Sequence, residues 1–437
     1  MTRDVVIDAG PPPPAGARSG LHPAWIVAAV AFVALLGAAG FRAAPGVLMV
    51  PLQQEFGWSR GTLSLAVGVN LVLFGLTAPF AAALMDRFGI RAVTGSALVL
   101  VAAGSGLSVL VTAPWHLVLL WGVLIGVGTG SMALIFAATI ANHWFVRRRG
   151  LVMGVLTAAS ATGQLIFLPV LAWITEGSGW RAAAVVIGVA ALSVVPLALT
   201  YLRDDPADRG VAPYGAGAAP QQVDTPVRAP AVATGAARRA VAALVQVSRD
   251  RTFWALAGGF AICGATTNGL IGTHFIPAAH DHGMAQTTAA GLLAAVGVFD
   301  IAGTVASGVL SDRFNPRILL GAYYGLRGVS VLLLPVLLSD TLHASMIAFI
   351  VVYGLDWVAT VPPTAMLCRQ AFGDLGTIVF GWVFAAHQVG AAFASVAAGV
   401  VRDATGRYTA AWLAAAGLCA VAAVISVRVR RTPAAAG

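Results

Sequence analysis

Apolar residues do not alternate with polar ones along this chain. They run together in blocks of about 20 or more, each long enough to cross a hydrocarbon core of ~30 Å as a helix. Twelve such blocks can be marked, at approximately 24–50, 61–84, 92–112, 115–144, 151–175, 181–202, 252–276, 286–311, 318–338, 343–368, 375–401 and 409–428. One long break, from Arg203 to Asp250, is rich in Pro, Gly, Gln and Arg and divides them into two sets of six. The sets repeat each other. The turn MDRFGIR at Met85–Arg91 returns as SDRFNPR, so that Asp312, Arg313 and Arg317 fall on Asp86, Arg87 and Arg91 at an offset of 226 residues. Pro51 and Gly57 fall on Pro277 and Gly283 at the same offset, and with one residue of slip Gly163 and Gly179 fall on Gly390 and Gly406.

The pattern predicts an all-α integral membrane protein of twelve transmembrane helices in two pseudo-symmetric six-helix halves, at 22–202 and 251–430. A linker over 203–250 joins them, flanked by a disordered cytoplasmic tail over 1–21 and a short cytoplasmic tail over 431–437. The end of the linker, AARRAVAALVQVSRD, spaces its apolar residues as an interfacial helix would. The first apolar run begins at Ala24, too late and too long for a signal peptide, and is expected to remain as the first span.

Composition agrees with a membrane protein: 59% of residues are hydrophobic, only 10% are charged, and mean hydropathy is +0.86. The net charge of +9 would suggest a polyanionic partner in a soluble chain, but its distribution says otherwise. Every basic residue is an arginine. Twenty lie in the tails and in the loops that would be cytoplasmic, against four (Arg60, Arg181, Arg402, Arg407) in the opposite loops. This positive-inside bias places both termini in the cytoplasm and leaves no charge to be explained by nucleic acid. Without lysine there is no P-loop and no Schiff base, which excludes ATP-driven pumps of that kind and retinal proteins. Cys263, Cys368 and Cys419 fall within spans or at their ends, so no disulfide is expected. No metal or cofactor site is apparent, and neither H-E-x-x-H nor G-x-S-x-G occurs, so an enzyme is not expected.

Polar residues inside the spans are the candidates for function. Asp300 lies about a dozen residues before Asp312, some 18 Å from the cytoplasmic surface at roughly 1.5 Å per residue, and is the candidate proton-coupling group. The alternative is an acid permanently bonded to a neighbouring helix. Thr304 is one turn on and shares its face. His387, near mid-depth in the eleventh span, could bind a carboxylate or titrate during a cycle, unless it is a structural histidine bonded to a carbonyl. Arg42 in the first span offers a planar fork for a carboxylate if it faces a cavity, or snorkels to the interface if it does not. Asn70 and Gln164 are neutral candidates for substrate contact, with Gln388 and His274 weaker ones; His280 and His282 are read as solvated loop residues. Arg327 and Asp356 lie at matching depths and are expected to form a structural ion pair.

The turn at Ala82, Leu84, Asp86, Arg87, Gly89 and Arg91, repeated at Gly308, Leu310, Asp312, Arg313 and Arg317, resembles the signature G-x-L-A-D-R-x-G-R of the major facilitator superfamily, with Ala82 for its first glycine and Asn315 and Pro316 altering the second copy. Within it the chain is similar to the bacterial branch of the monocarboxylate transporter and oxalate-formate antiporter group. The segments that carry this are GVLMVPLQQEFGWSRGTLSLA, RRRGLVMGVLTAASATGQLIFLP, DPADRGVAPYG, GLDWVATVPPT and HQVGAAF. The resemblance implies the major facilitator fold, with the first span lining a central cavity and the ninth peripheral. It makes Asp86, Arg87, Arg91, Asp312, Arg313 and Arg317 gating residues, the acid of each turn capping the start of the fifth or eleventh span of the other half. It also implies an acid in the eighth span, matched by Asp300, and an arginine four residues on, where Thr304 stands. The antiporters also place a lysine in the eleventh span, near His387. The expected function is a secondary active transporter of a small, monocarboxylate-like organic anion. It would be proton-coupled and monomeric, lie in lipid as a bacterial inner-membrane protein, and work by rocker-switch alternating access. The alternatives are a carboxylate exchanger, a proton-driven efflux antiporter and, outside transport, a membrane sensor.

Overall fold

The computed structural model describes residues 21–216 and 233–429. The tails expected at 1–21 and 431–437, apart from Leu21, and the middle of the linker lie outside the described residues. Among the described residues twelve helices cross the molecule: α1 (Pro23–Phe56), α2 (Arg60–Phe88), α3 (Ile90–Leu110), α4 (Pro114–Trp144), α5 (149–178), α6 (180–201), α7 (Arg251–Asp281), α8 (Gln286–Arg313), α9 (Pro316–Leu337), α10 (344–372), α11 (Gly376–Thr405) and α12 (Thr409–Arg428). α5 and α6 follow one another with a single residue between them, Gly179, whose φ of 83° and ψ of 165° reverse the chain where no β-carbon is present to object. Its repeat counterpart Gly406 ends α11 at φ 74°, and Gly57 and Gly283 share the same left-handed turn after α1 and α7. The duplication read from the sequence is thus carried by matching chain reversals.

Helix starts are fixed locally. The Ser59 side chain accepts from the Thr62 amide at the head of α2, Asp250 from Thr252 at α7, and Asn315 from Arg317 at α9, where Pro316 fills the first position. α10 is broken. Its two pieces, Ala344–Asp356 and Val361–Phe372, are separated by a turn at 357–360 that frees backbone groups at mid-depth. Such a break is tolerated in a membrane only where neighbouring helices satisfy it. α8 lies close enough to do so because of Gly303, at which a β-carbon would stand 1.9 Å from the Leu355 carbonyl oxygen.

Twelve crossings place the described chain ends and the linker at one end of the bundle, here called the terminal end. Asp204, just after α6, caps α3 there by accepting from the Ile90 amide at 2.5 Å, and Tyr214 pairs its backbone with Trp144 and Val146. A helix over Ala233–Val247 packs against α2 and α11, with the Trp382 indole donating to the Ala240 carbonyl at 2.9 Å. The two halves meet mainly through α2 against α11 and α5 against α8.

Candidate functional site

Between the halves lies a cavity of about 510 Å³, walled by α1, α2, α4 and α5 of one half and by α7, α8, α10 and α11 of the other. Of the residues singled out in the sequence, Arg42, Gln164, Asp300, Thr304, His387 and Gln388 all line it. Arg42 is exposed to the cavity rather than to the outside, with its guanidinium 5.1 Å above the Phe74 ring. Among the described residues it is the one cation on this wall, and no carboxylate pairs with it. His387 stacks on Phe384 at 5.9 Å with rings 6° from parallel and leans on Phe260 at 4.7 Å. Its Nδ1 is buried without a partner, as is the Gln388 Oε1 beside it.

Asp300 is the one acid on the wall among the described residues, and its contacts explain how α10 can be broken beside it. Its Oδ1 accepts from the Val358 amide in the α10 turn and from the Thr304 hydroxyl, both at 3.0 Å. Oδ2 has no protein partner among the described residues. From the other side Arg327 of α9 donates to Asp356 Oδ2 at 2.6 Å, to the Asp356 carbonyl at 2.6 Å and to the Trp357 carbonyl at 3.2 Å. The α10 turn therefore has its amide held by α8 and its carbonyls by α9. Arg327 and Asp356 are buried behind the cavity wall and do not line it.

Asn70 is corrected by the structure. Its side-chain amide is buried and donates to the Trp121 carbonyl of α4 at 2.7 Å, and the residue does not line the cavity. His274 also lies elsewhere, fully buried at the end opposite the termini.

That far end holds a network the sequence reading did not anticipate. Arg60, at the head of α2, donates two hydrogen bonds to Asp281 of α7 at 2.7 and 2.6 Å, and Arg402 of α11 donates to the same carboxylate at 2.8 Å. Asp403 caps α2 across the interface, accepting from the amides of Arg60 and Gly61. Arg60 also donates to the Tyr408 hydroxyl at 2.9 Å; burial pushes that phenol up to about 12, so it keeps its proton. Tyr408 lies 3.0 Å from His274 Nδ1, and His274 Nε2 lies 2.8 Å from the Ser395 carbonyl, which can only accept. Nε2 of the histidine therefore carries a proton and donates it to that carbonyl. One signal was available: Asp281 stands 226 residues after Glu55, which binds Arg181 and Trp180 within its own half.

The cross-half hydrogen bonds and ion pairs among the described residues gather at this far end, where Gln286 also donates to the Val47 carbonyl and the Thr287 amide to Glu176. Toward the terminal end the cavity instead runs out between α5 and α8, past Gly154, Thr157, Ile301 and Val305. Asp86 and Asp312 are exposed there and make no side-chain hydrogen bond or ion pair among the described residues; Arg87 and Arg313 are likewise exposed, while Arg317 is tied to Asn315 and to the Val429 carbonyl. The cavity is shut at the far end and open toward the terminal end. Replacing Asp281 by Ala removes the counter-charge of a buried Arg60 and is expected to release this closure. Labelling of a Ser64→Cys probe by an impermeant maleimide from the far side, above the native-cysteine background, should rise several-fold; unchanged labelling would show that the network does not hold the gate.

With two six-helix halves around a cavity closed at one end, the architecture can be compared with known proteins. The family model of the Major Facilitator Superfamily matches residues 30–379. The chain belongs to the major facilitator superfamily. Similar proteins include the uncharacterized MFS-type transporter YcxA of Bacillus subtilis, 26% identical over 403 residues covering 88% of this chain and 90% of that protein. Mouse monocarboxylate transporter 11 is 27% identical over 421 residues, covering 92% of this chain and 86% of that one. Among solved structures, a bacterial homolog of the human lysosomal transporter Spinster, inward-facing and unoccupied, aligns with a TM-score of 0.70 over 96% of this chain and all of its own at 16% identity, a likeness of fold alone. The chain is a multi-pass membrane transporter and not an enzyme.

Proposed function

We propose that this transporter carries a small organic anion of the monocarboxylate type together with a proton. It would do so by alternating access across a bacterial cytoplasmic membrane, with its terminal end in the cytoplasm. The observation that carries this reading is Arg42, a cation that cannot lose its charge, set on the cavity wall with no carboxylate to neutralise it. A cavity built this way has a standing deficit of negative charge at the guanidinium, which an anionic substrate fills with paired N–H···O bonds. His387 and Gln164 flank the cavity as further polar contacts, and Asp300, with Oδ2 unbonded, supplies the proton site. The excess of arginine in the terminal-end loops supports the orientation, and the names of several relatives support the substrate class.

Purified protein in sealed proteoliposomes tests it. Labelled monocarboxylates should accumulate above equilibrium when the pH gradient is imposed and not otherwise; a protein that binds them without flux would be a sensor. Arg42→Gln removes a charge-assisted contact worth about 1.5–3 kcal/mol, so binding should weaken roughly 10- to 100-fold. Calorimetric affinity equal to wild type in that variant would remove Arg42 from the substrate site.

A further inference from the structure

The cavity is larger and more aromatic than a two- or three-carbon acid requires. Its volume of about 510 Å³ lies in the ~300–1,000 Å³ range typical of pockets for drug-sized ligands. Around the anion-holding residues the wall is built of ring faces: Phe74 beneath Arg42, then Phe260 and Phe384 on either side of His387, with Phe380 and Trp357 beyond. Phe74 and Phe384 touch across the two halves, ring centroids 5.9 Å apart, so the aromatic surface is continuous over the interface.

The threonines of this wall do little to make it polar. The hydroxyls of Thr129, Thr157 and Thr267 donate back to carbonyls four residues earlier in their own helices, at 2.8 Å each, and have no hydrogen left to give a ligand carboxylate. Thr304 spends its hydroxyl on Asp300. Polar capacity that remains for a ligand lies at Arg42, Gln164, Asn268, His387, Gln388 and the Asp300 Oδ2, whereas most of the surface between them is apolar. A hydrated acid such as lactate, with a hydroxyl beside its carboxylate and almost no apolar body, would leave these rings uncovered. An aryl or branched side chain of about phenyl size would cover them and gain edge and face contacts with the rings.

We infer that the preferred substrate is a monocarboxylate with a bulky apolar body, of the arylalkanoic class, whose carboxylate pairs with Arg42 while its ring lies against Phe74, Phe260 and Phe384. This rests on the anion-carrier reading above and narrows it. An apolar wall of this kind makes affinity rise with the apolar area the ligand buries.

The experiment is calorimetric binding to the full-length protein in detergent with four probes: lactate, propionate, 3-phenylpropionate and the uncharged 3-phenylpropionamide. 3-Phenylpropionate is expected to bind at least tenfold more tightly than either short acid, and the amide at least tenfold more weakly than its acid. Phe384→Ala should reduce the preference for 3-phenylpropionate over propionate several-fold, and Phe384→Leu, which keeps bulk and folding, should reduce it in the same direction. Short acids that bind as tightly as 3-phenylpropionate would overturn the inference and leave the anion-carrier reading standing. An amide that binds as well as the acid would overturn both, because the guanidinium would then have no part in recognition. A preference for the aryl acid undiminished in both Phe384 variants would also overturn the assignment to this aromatic wall.

Discussion

Asp300→Asn is expected to bring pH-driven accumulation down to the equilibrium level while substrate binding and substrate exchange persist. With Asp300 ionised, the cavity holds one positive and one negative charge, and entry of an anion leaves an excess of one negative charge. Carrying that excess against a membrane potential costs about 2.3 kcal/mol per 100 mV, besides the cost of placing it in the low-dielectric interior. A proton taken up at Oδ2 restores balance, and because both existing hydrogen bonds fall on Oδ1 it need not disturb the cap on Val358 or the bond from Thr304. The asparagine keeps an acceptor for those two donors but cannot change charge, so Arg42 and the anion balance each other and the loaded carrier crosses without a proton. Counterflow of labelled substrate in proteoliposomes should therefore continue when net uphill uptake has gone. Accumulation by this variant that still follows an imposed pH gradient at the wild-type rate would take Asp300 out of the coupling and leave His387 as the candidate. Asp300→Ala is a useful contrast, since it also removes the acceptor for the Val358 amide and should lower the yield of folded protein.

The span count and the duplication were legible because both depend on quantities a sequence displays directly, namely the length of an apolar run and the recurrence of Asp86 and Gly57 at a fixed offset. Asp300 and Thr304 were legible as a pair for the same kind of reason, as four-residue spacing on a helix allows their 3.0 Å contact. The facing of a single polar residue was not. In a soluble helix the apolar stripe marks the inside, but here lipid and protein interior are both apolar, so Asn70 gave no sign that it would turn to Trp121 while Gln164 turned to the cavity. The break in α10 was hidden in the same way, since GLDWVATVPPT reads as one apolar run with prolines at its end. What makes the break possible, an acid on one helix and an arginine on another converging on the turn at 357–360, is a three-body arrangement that no local pattern encodes. The far-end network was missed because Arg60 and Arg402 were counted for their side of the membrane and not for their partners, although Asp281 sits at the repeat position of Glu55.

Arg327→Gln is expected to cost most of the folded protein recovered from membranes, and to do so without touching the cavity. Arg327 is fully buried, Asp356 is 2% exposed, and among the described residues the guanidinium is the donor to the Asp356 and Trp357 carbonyls at the opened turn of α10. Breaking one side of such a pair typically costs 3–5 kcal/mol, because the remaining charge is left in a medium that cannot solvate it. Here the loss is larger for the arginine than for the acid. Asp356→Asn keeps the carbonyl bonds and an amide oxygen near Nε, whereas Arg327→Gln strands the carboxylate and both carbonyls together. Asp356→Asn should accordingly express better than Arg327→Gln, and the double neutral variant should recover part of what Arg327→Gln loses, since no buried charge remains. Arg327→Lys is not a conservative control, for an ammonium cannot reach the carboxylate and both carbonyls with the geometry of the planar fork. Monodisperse yield on size-exclusion chromatography and thermal stability in detergent measure all four. Normal yield and stability for Arg327→Gln, with substrate binding alone abolished, would move Arg327 from the support of α10 into the binding site.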